Sequence, residues 1–279
     1  MSDRRPGVLA ITGGASGFGL AVAQLCAAHG MDVALIDLDG DRVAEEAAGI
    51  ADSEGVRALG IAADVASVEE LDAAAGRVAS ELGGCDVLWA NVAVQRFGAV
   101  EALGEQEWRW VMEVNVLGTV HTVRSFLPVL RNSAQPRLVF TASANALAPA
   151  ERLGAYQASK YAVVGLAETL RMEMSHEGMG VSVVYPSGMM TRHLESSEAA
   201  RPDTLGPSGD FSGDLEAMVA SRPLGERDLT TAQEAAAVAV EGVLAGEAHV
   251  ITHGDVAAAV RESRESIDRA LALLEGSAG

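Results

Sequence analysis

Residues Val8 to Leu20 read VLAITGGASGFGL. The run from Val8 to Thr12 predicts a short apolar strand. The glycines at 13, 14, 17 and 19 predict a turn, and the pattern from Leu20 to His29 predicts a helix. A glycine-rich turn between a strand and a helix lets the backbone approach a pyrophosphate, and the helix N-terminus favours that negative charge. The spacing is G-x-x-x-G-x-G rather than G-x-G-x-x-G, and alone it could be a flexible corner. Its place between strand and helix points to dinucleotide binding.

The rest of the chain repeats the alternation. Strands are predicted at Asp32–Asp37, Val56–Ala62, Val87–Asn91, Arg137–Ala142, Val181–Tyr185 and His249–Thr252, with helical patterns between them. One long helix is predicted from about Glu105 to Leu130, ended or kinked at Pro128. The strands are continuous runs of Val, Ile, Leu and Ala, the signature of a parallel sheet buried on both faces. The regularity predicts one α/β domain over residues 1–279: a doubly wound Rossmann fold with seven parallel strands. Residues 192–230 gain Ser, Glu, Pro and Gly and lose periodicity, so they are read as an excursion over the substrate side. Residues 255–275 are read as a C-terminal helix. Val256, Val260, Ile267, Leu271 and Leu274 form an apolar stripe on it, expected to dock on the same subunit or on a neighbour.

Composition bounds the function. Apolar residues make up 49% of the 279, enough for one large core, and aromatics only 4%. A net charge of −19 argues against nucleic acid or an anionic membrane as partner, since both need clustered Lys and Arg. No apolar run approaches the ~20 residues of a membrane span, and the polar start, Met1 to Gly7, does not read as a signal peptide. Cys26 and Cys85 have no metal-like spacing and read as reduced core thiols of a cytoplasmic protein. His249 and His253 fall in a strand pattern, where a spacing of four does not make a helical metal pair.

Lys160 is the only lysine; the other nineteen of the 20 basic residues are arginine. Tyr156 precedes it by four, which places both on one helix face. An adjacent ammonium favours the phenolate and lowers the tyrosine pKa, fitting it for proton transfer near neutral pH.

In these motifs the chain resembles the short-chain dehydrogenase/reductase family in its common, shorter form. The resemblance covers about residues 6 to 191 and weakens toward 252. Thr12 to Gly19 resembles its T-G-x-x-x-G-x-G turn, Asp64-Val65 its D-V pair, Asn115 its N-x-x-G asparagine, and Pro186 to Thr191 its P-G-x-x-x-T segment. Ser143 stands thirteen positions before Tyr156, the family interval. Two departures are Asn91-Val92-Ala93 in place of N-A-G, and Pro186-Ser187 in place of P-G. The resemblance implies NAD, NADP being the less favoured cofactor, held by Thr12, Gly13, Ser16, Gly17, Phe18, Gly19, Asp37, Asp64, Val65, Asn91, Tyr156, Lys160, Pro186, Gly188 and Thr191. It implies a catalytic set of Asn115, Ser143, Tyr156 and Lys160. In it Tyr156 is the acid/base, Ser143 holds the substrate oxygen, Lys160 tunes the phenol and binds the nicotinamide ribose, and Asn115 anchors a relay water. Ser143 could instead be a cap, and Asn115 a buried polar residue bonded to backbone. Family members are usually homodimers or homotetramers.

Asp37 ends the second strand, where an acid accepts hydrogen bonds from the adenine ribose and repels a 2′-phosphate. Asp39 suits a helix cap better, and Arg42 pulls toward NADP. Val94, Ala144, Asn145, Leu147, Leu153, Met189 and Met190 are candidate pocket walls. Arg192 and His193 could meet an acidic substrate or sit in a solvated loop. The expected activity is NAD-dependent interconversion of a secondary alcohol and a ketone. A non-catalytic nucleotide sensor or scaffold on the same fold, and an epimerase or dehydratase, are the alternatives.

Overall fold

A computed structural model describes residues 7–189, 193–222 and 229–276. The strands are β1 (Val8–Thr12), β2 (Asp32–Asp37), β3 (Ala58–Ala62), β4 (Val87–Ala90), β5 (Arg137–Thr141) and β6 (Gly180–Tyr185). A small pair follows, β7 (Gly188–Met189) with β8 (Leu229–Thr230), and then β9 (His249–Ile251). The helices are α1 (Gly17–Ala28), α2 (Gly40–Glu54), α3 (Val68–Arg77), α4 (Glu105–Met112), α5 (Gly118–Leu130), α6 (Gly154–Met174), α7 (His193–Ala199), α8 (Ser212–Ser221), α9 (Ala232–Ala245) and α10 (Ala257–Gly276).

The main sheet runs β3-β2-β1-β4-β5-β6-β9 and is parallel throughout. This is the doubly wound Rossmann arrangement, in which the order reverses between β1 and β4 and ligands bind beyond the carboxyl ends of the strands. Successive strand side chains point to opposite faces. In β1 and β2, Ala10, Ala34 and Ile36 enter the core that holds Ala74 of α3, Phe126 of α5 and Ala167 of α6. Leu9, Ile11, Val33 and Leu35 enter the opposite core, with Val22 of α1, Ala47 of α2 and Ala239 of α9. Small side chains at these contacts, Ala74, Ala167, Ala47 and Ala239 among them, let the helices lie close to the sheet. Thr231 caps α9 through a reciprocal capping box with Glu234.

One expectation is corrected and two are refined. The strand predicted from Val56 begins at Ala58: the Arg57 amide and guanidinium turn to the Asp32 carboxylate, at 2.8 Å from the amide and 3.0 Å from Nε. The long helix runs from Glu105 to Leu130 as expected but is not α-helical throughout. A π-helical turn at Glu113–Leu117 separates α4 from α5, and Pro128 lies inside the last turn of α5. The widened turn directs Asn115 into the interior, where it is 1% exposed. Of the apolar stripe expected on the C-terminal helix, only the start packs on its own subunit. Val256 packs with Ala144 and Ala148, whereas Ile267, Leu271 and Leu274 remain 59%, 51% and 71% exposed.

Candidate active site

The carboxyl ends of the central strands open on a cavity of about 890 Å³. Gly13, Ser16, Gly17, Phe18 and Gly19 form one wall, Asp37, Asp64, Val65 and Asn91 another, and Ser143, Tyr156, Lys160, Pro186 and Gly188 a third. Thr191 lies outside the described residues. Thr12 and Asn115 are not in the wall; they brace it from behind.

The glycine turn has local causes. Gly13 has φ +68°, a left-handed value that costs other residues energy. At Gly19 a Cβ would lie 2.1 Å from the Gly13 carbonyl oxygen and 2.7 Å from Asn91 Nδ2, so only glycine fits. Ser16, at the N-cap of α1, makes no side-chain capping bond. The first amides of α1 therefore suit an anion. Thr12 Oγ1 accepts from the Asn91 amide at 3.1 Å, and Asn91 Nδ2 donates to the Thr12 carbonyl at 3.1 Å. These bonds tie β1 to the chain leaving β4 across the point where the strand order reverses. Thr141, which the sequence reading missed, extends the brace: its hydroxyl accepts from Trp89 Nε1 and donates to Asn91 Oδ1, both at 2.9 Å.

Asp37 Oδ2 accepts from the Ala15 amide at 3.0 Å, so the acid at the end of β2 also holds the glycine turn. Asp39 caps α2, accepting from the Arg42 amide at 3.1 Å, as expected. The Arg42 guanidinium turns along its own helix to Glu46, 3.8 Å away.

Tyr156 and Lys160 share a face of α6, with Nζ 5.6 Å from the phenol ring centre. Lys160 is 2% exposed and donates to the Thr141 carbonyl at 2.8 Å. Burial pushes Tyr156 up to about 12, against the Ser143 hydrogen bond that lowers it, and pushes Lys160 down to about 7. The expected lowering of the phenol pKa is thus not what the buried pair shows, because the cost of desolvating each charged form dominates. Ser143 is both cap and site residue: its Oγ accepts from the Asn145 amide at 3.1 Å and also reaches the phenol. The Asn115 side chain ties the chain after β4 to α6. Its side chain accepts from the Val94 amide and donates to the Val94 carbonyl, both at 2.8 Å, and donates to Ser159 Oγ at 2.9 Å.

Of the pocket-wall candidates, Val94, Ala144, Asn145, Leu153 and Met189 line the cavity and Leu147 does not; Met190 and Arg192 lie outside the described residues. The excursion after β7 adds walls that fading periodicity concealed: Leu194, Leu205, Met218 and Arg222. Arg222 Nη1 donates to the Ala148 carbonyl at 2.8 Å and to Asn145 Oδ1 at 3.3 Å. His193 is half-buried beside Tyr156, not a solvated loop residue. His249 meets the Tyr185 hydroxyl at 3.0 Å, and His253 Nε2 meets the Gly188 carbonyl at 2.8 Å.

Comparison with known proteins agrees with this geometry. The profile of the family described as short chain dehydrogenase matches residues 7–202. The D-threitol dehydrogenase of Mycolicibacterium smegmatis is 31% identical over 203 residues, 73% of this chain and 75% of that protein. The C alpha-dehydrogenase of Sphingobium sp. strain SYK-6 is 27% identical over 277 residues, 99% of this chain and 90% of that protein. The crystal structure of a short chain dehydrogenase/reductase from Burkholderia phymatum in complex with NAD has a TM-score of 0.85 and 30% identity, covering 96% of each chain. Other solved structures of this fold carry NADH or an NADP derivative. The chain belongs to the short-chain dehydrogenase/reductase family.

Proposed function

We propose that the chain interconverts a secondary alcohol and a ketone with NAD, using Tyr156 as the acid/base. One observation carries this reading: Tyr156, Ser143 and Lys160 meet in the same cavity that the glycine turn and Asp37 line. The names of the D-threitol and C alpha-dehydrogenases agree with an alcohol substrate. A bound nicotinamide supplies the hydride transfer. The uncapped start of α1 and the glycine cradle fit its pyrophosphate, Asp37 the adenine ribose, and Asp64 and Val65 the adenine side. Asn91, Pro186 and Gly188 border the nicotinamide end, where Thr191 also belongs by sequence. Tyr156 gives its proton to the carbonyl oxygen in reduction or takes one from the alcohol in oxidation. Ser143 would hold that oxygen, and Lys160 would hydrogen-bond the nicotinamide ribose. Asn115, fixed between the Val94 backbone and α6, would anchor a water that relays protons past Lys160. The test is NAD reduction, followed by absorbance, with a panel of secondary alcohols. A protein that binds NAD but turns over no alcohol or ketone would instead be a sensor, for which a buried phenol and ammonium have no use.

Asp37 sets the preference for NAD over NADP. Its carboxylate suits two ribose hydroxyls and repels a 2′-phosphate, while Arg42 is turned toward Glu46. A preference near a hundredfold corresponds to about 2.7 kcal/mol. In Asp37→Ala the ratio of the two kcat/KM values is expected to fall toward one. The ratio is the readout because losing the Ala15 contact weakens both cofactors. Equal use of both by the wild type, or an unchanged ratio in the variant, sinks the assignment.

We place the protein in the cytoplasm as a homodimer or homotetramer. Cys26 and Cys85 are free, buried thiols that desolvation pushes up to about 12, which makes them unreactive. Among the described residues no helix is long and apolar enough to cross a membrane. The exposed stripe of α10 is the expected assembly surface. Ile267→Glu with Leu271→Glu should lower the mass measured by light scattering; an unchanged mass removes α10 from the interface.

A further inference from the structure

His193 opens α7 with its ring centre 6.2 Å from that of Tyr156 and tilted by 58°. It lines the same cavity as Ser143 and Tyr156. The start of α7 is held in place: Ser197 Oγ donates to the His193 carbonyl at 2.8 Å and accepts from the Gln95 amide at 3.1 Å. Ser197 is 1% exposed, so this clamp is interior, between α7 and the segment that follows β4. Burial and the Lys160 charge push the imidazole down to about 4. It is therefore neutral in working conditions, with one N–H donor and one acceptor nitrogen. Among the described residues no group hydrogen-bonds its ring nitrogens. Facing the cavity, these nitrogens can offer a donor and an acceptor to a bound molecule. The nearby wall is apolar, built from Phe97, Leu153, Leu194 and Met218 packed around Tyr156.

We propose that His193 is a specificity-determining residue that hydrogen-bonds a neutral oxygen on the carbon next to the reacting one. The site then selects vicinal diols and α-hydroxyketones with an apolar remainder over simple alcohols and ketones. This rests on the reading that Tyr156 marks the reacting oxygen. An imidazole this close to the phenol reaches groups one or two bonds beyond that oxygen, and a neutral imidazole suits a hydroxyl or carbonyl better than a carboxylate.

The test reads binding rather than turnover. Protein loaded with NAD, which has no hydride to give a ketone, is titrated calorimetrically with 2-hydroxyacetophenone and with acetophenone. The wild type is expected to bind the hydroxyketone about tenfold more tightly, or about 1.4 kcal/mol. His193→Leu should erase that preference while acetophenone affinity stays within about threefold, and His193→Gln, which keeps a donor and an acceptor, should restore part of it. Equal binding by the wild type overturns the proposal. So does a preference that survives in His193→Leu, an equal loss for both ketones, or failure of both ketones to bind while NAD binds. None of these touches the wider reading of the site. Failure of NAD itself to bind overturns the proposed function and this inference with it.

Discussion

Tyr156→Phe is expected to lower turnover by about 10²–10⁴-fold, the usual worth of a positioned proton donor, while NAD affinity and thermal stability stay near wild type. The ring is 8% exposed and packs with Phe97 and Leu153; phenylalanine keeps that packing and removes only the hydroxyl. The lost Ser143 contact is one hydrogen bond, a net effect of roughly 0.5–1.5 kcal/mol on stability. Steady-state kinetics beside calorimetric NAD titration separate the two effects. A variant that keeps more than roughly a tenth of the wild-type rate would show that Tyr156 is not the acid/base.

Lys160→Met is expected to abolish most turnover and to change stability in a pH-dependent way. The ammonium is 2% exposed, and burial takes its pKa from 10.5 to about 7. Between those values the unfolded chain binds more protons than the folded one, so wild-type stability rises with pH through that window. Below pH 7 the folded protein bears the cost of a buried charge, on the order of a few kcal/mol. Methionine removes that cost. It also leaves the Thr141 carbonyl without its donor, which costs about 1–3 kcal/mol at every pH. The readout is therefore the slope of the stability difference. Urea denaturation should favour the variant most near pH 6 and progressively less toward about pH 10. A difference that does not vary with pH would show that Lys160 is not desolvated as its surroundings imply.

Much of this was legible in the sequence, because fold and site are both written in spacing. The Gly13–Gly19 turn, the alternating strands and the Tyr156–Lys160 interval depend on local periodicity, and the structure brings them together where expected. The misreadings came from tertiary competition. Asn115 was read as a relay anchor or as a buried polar residue bonded to backbone, but the helical pattern gave no sign of the π turn that aims it at Val94 and Ser159. The ammonium was expected to lower the phenol pKa, whereas burial, which only the folded chain reveals, raises it. Thr141 was hidden as the last residue of a strand, though a hydroxyl at the carboxyl end of a central strand is where such folds place functional groups. His193 was singled out only by following the Pro186 segment, and Met218 lies in a stretch without periodicity, so nothing local marked it as a cavity wall. The stripe of α10 was legible, and Ile267, Leu271 and Leu274 on it are exposed in the single chain.

The account is tested most directly by the pH dependence of nicotinamide reduction and oxidation by the wild-type protein, given NAD with secondary alcohols and NADH with the matching ketones. Oxidation needs the phenolate, and the Tyr156 pKa stands at about 12, so its rate should climb with pH across the range in which the fold survives. Reduction needs the phenol and should hold through neutral pH. NAD binding without turnover in either direction, or alcohol oxidation that does not vary with pH, would contradict the account.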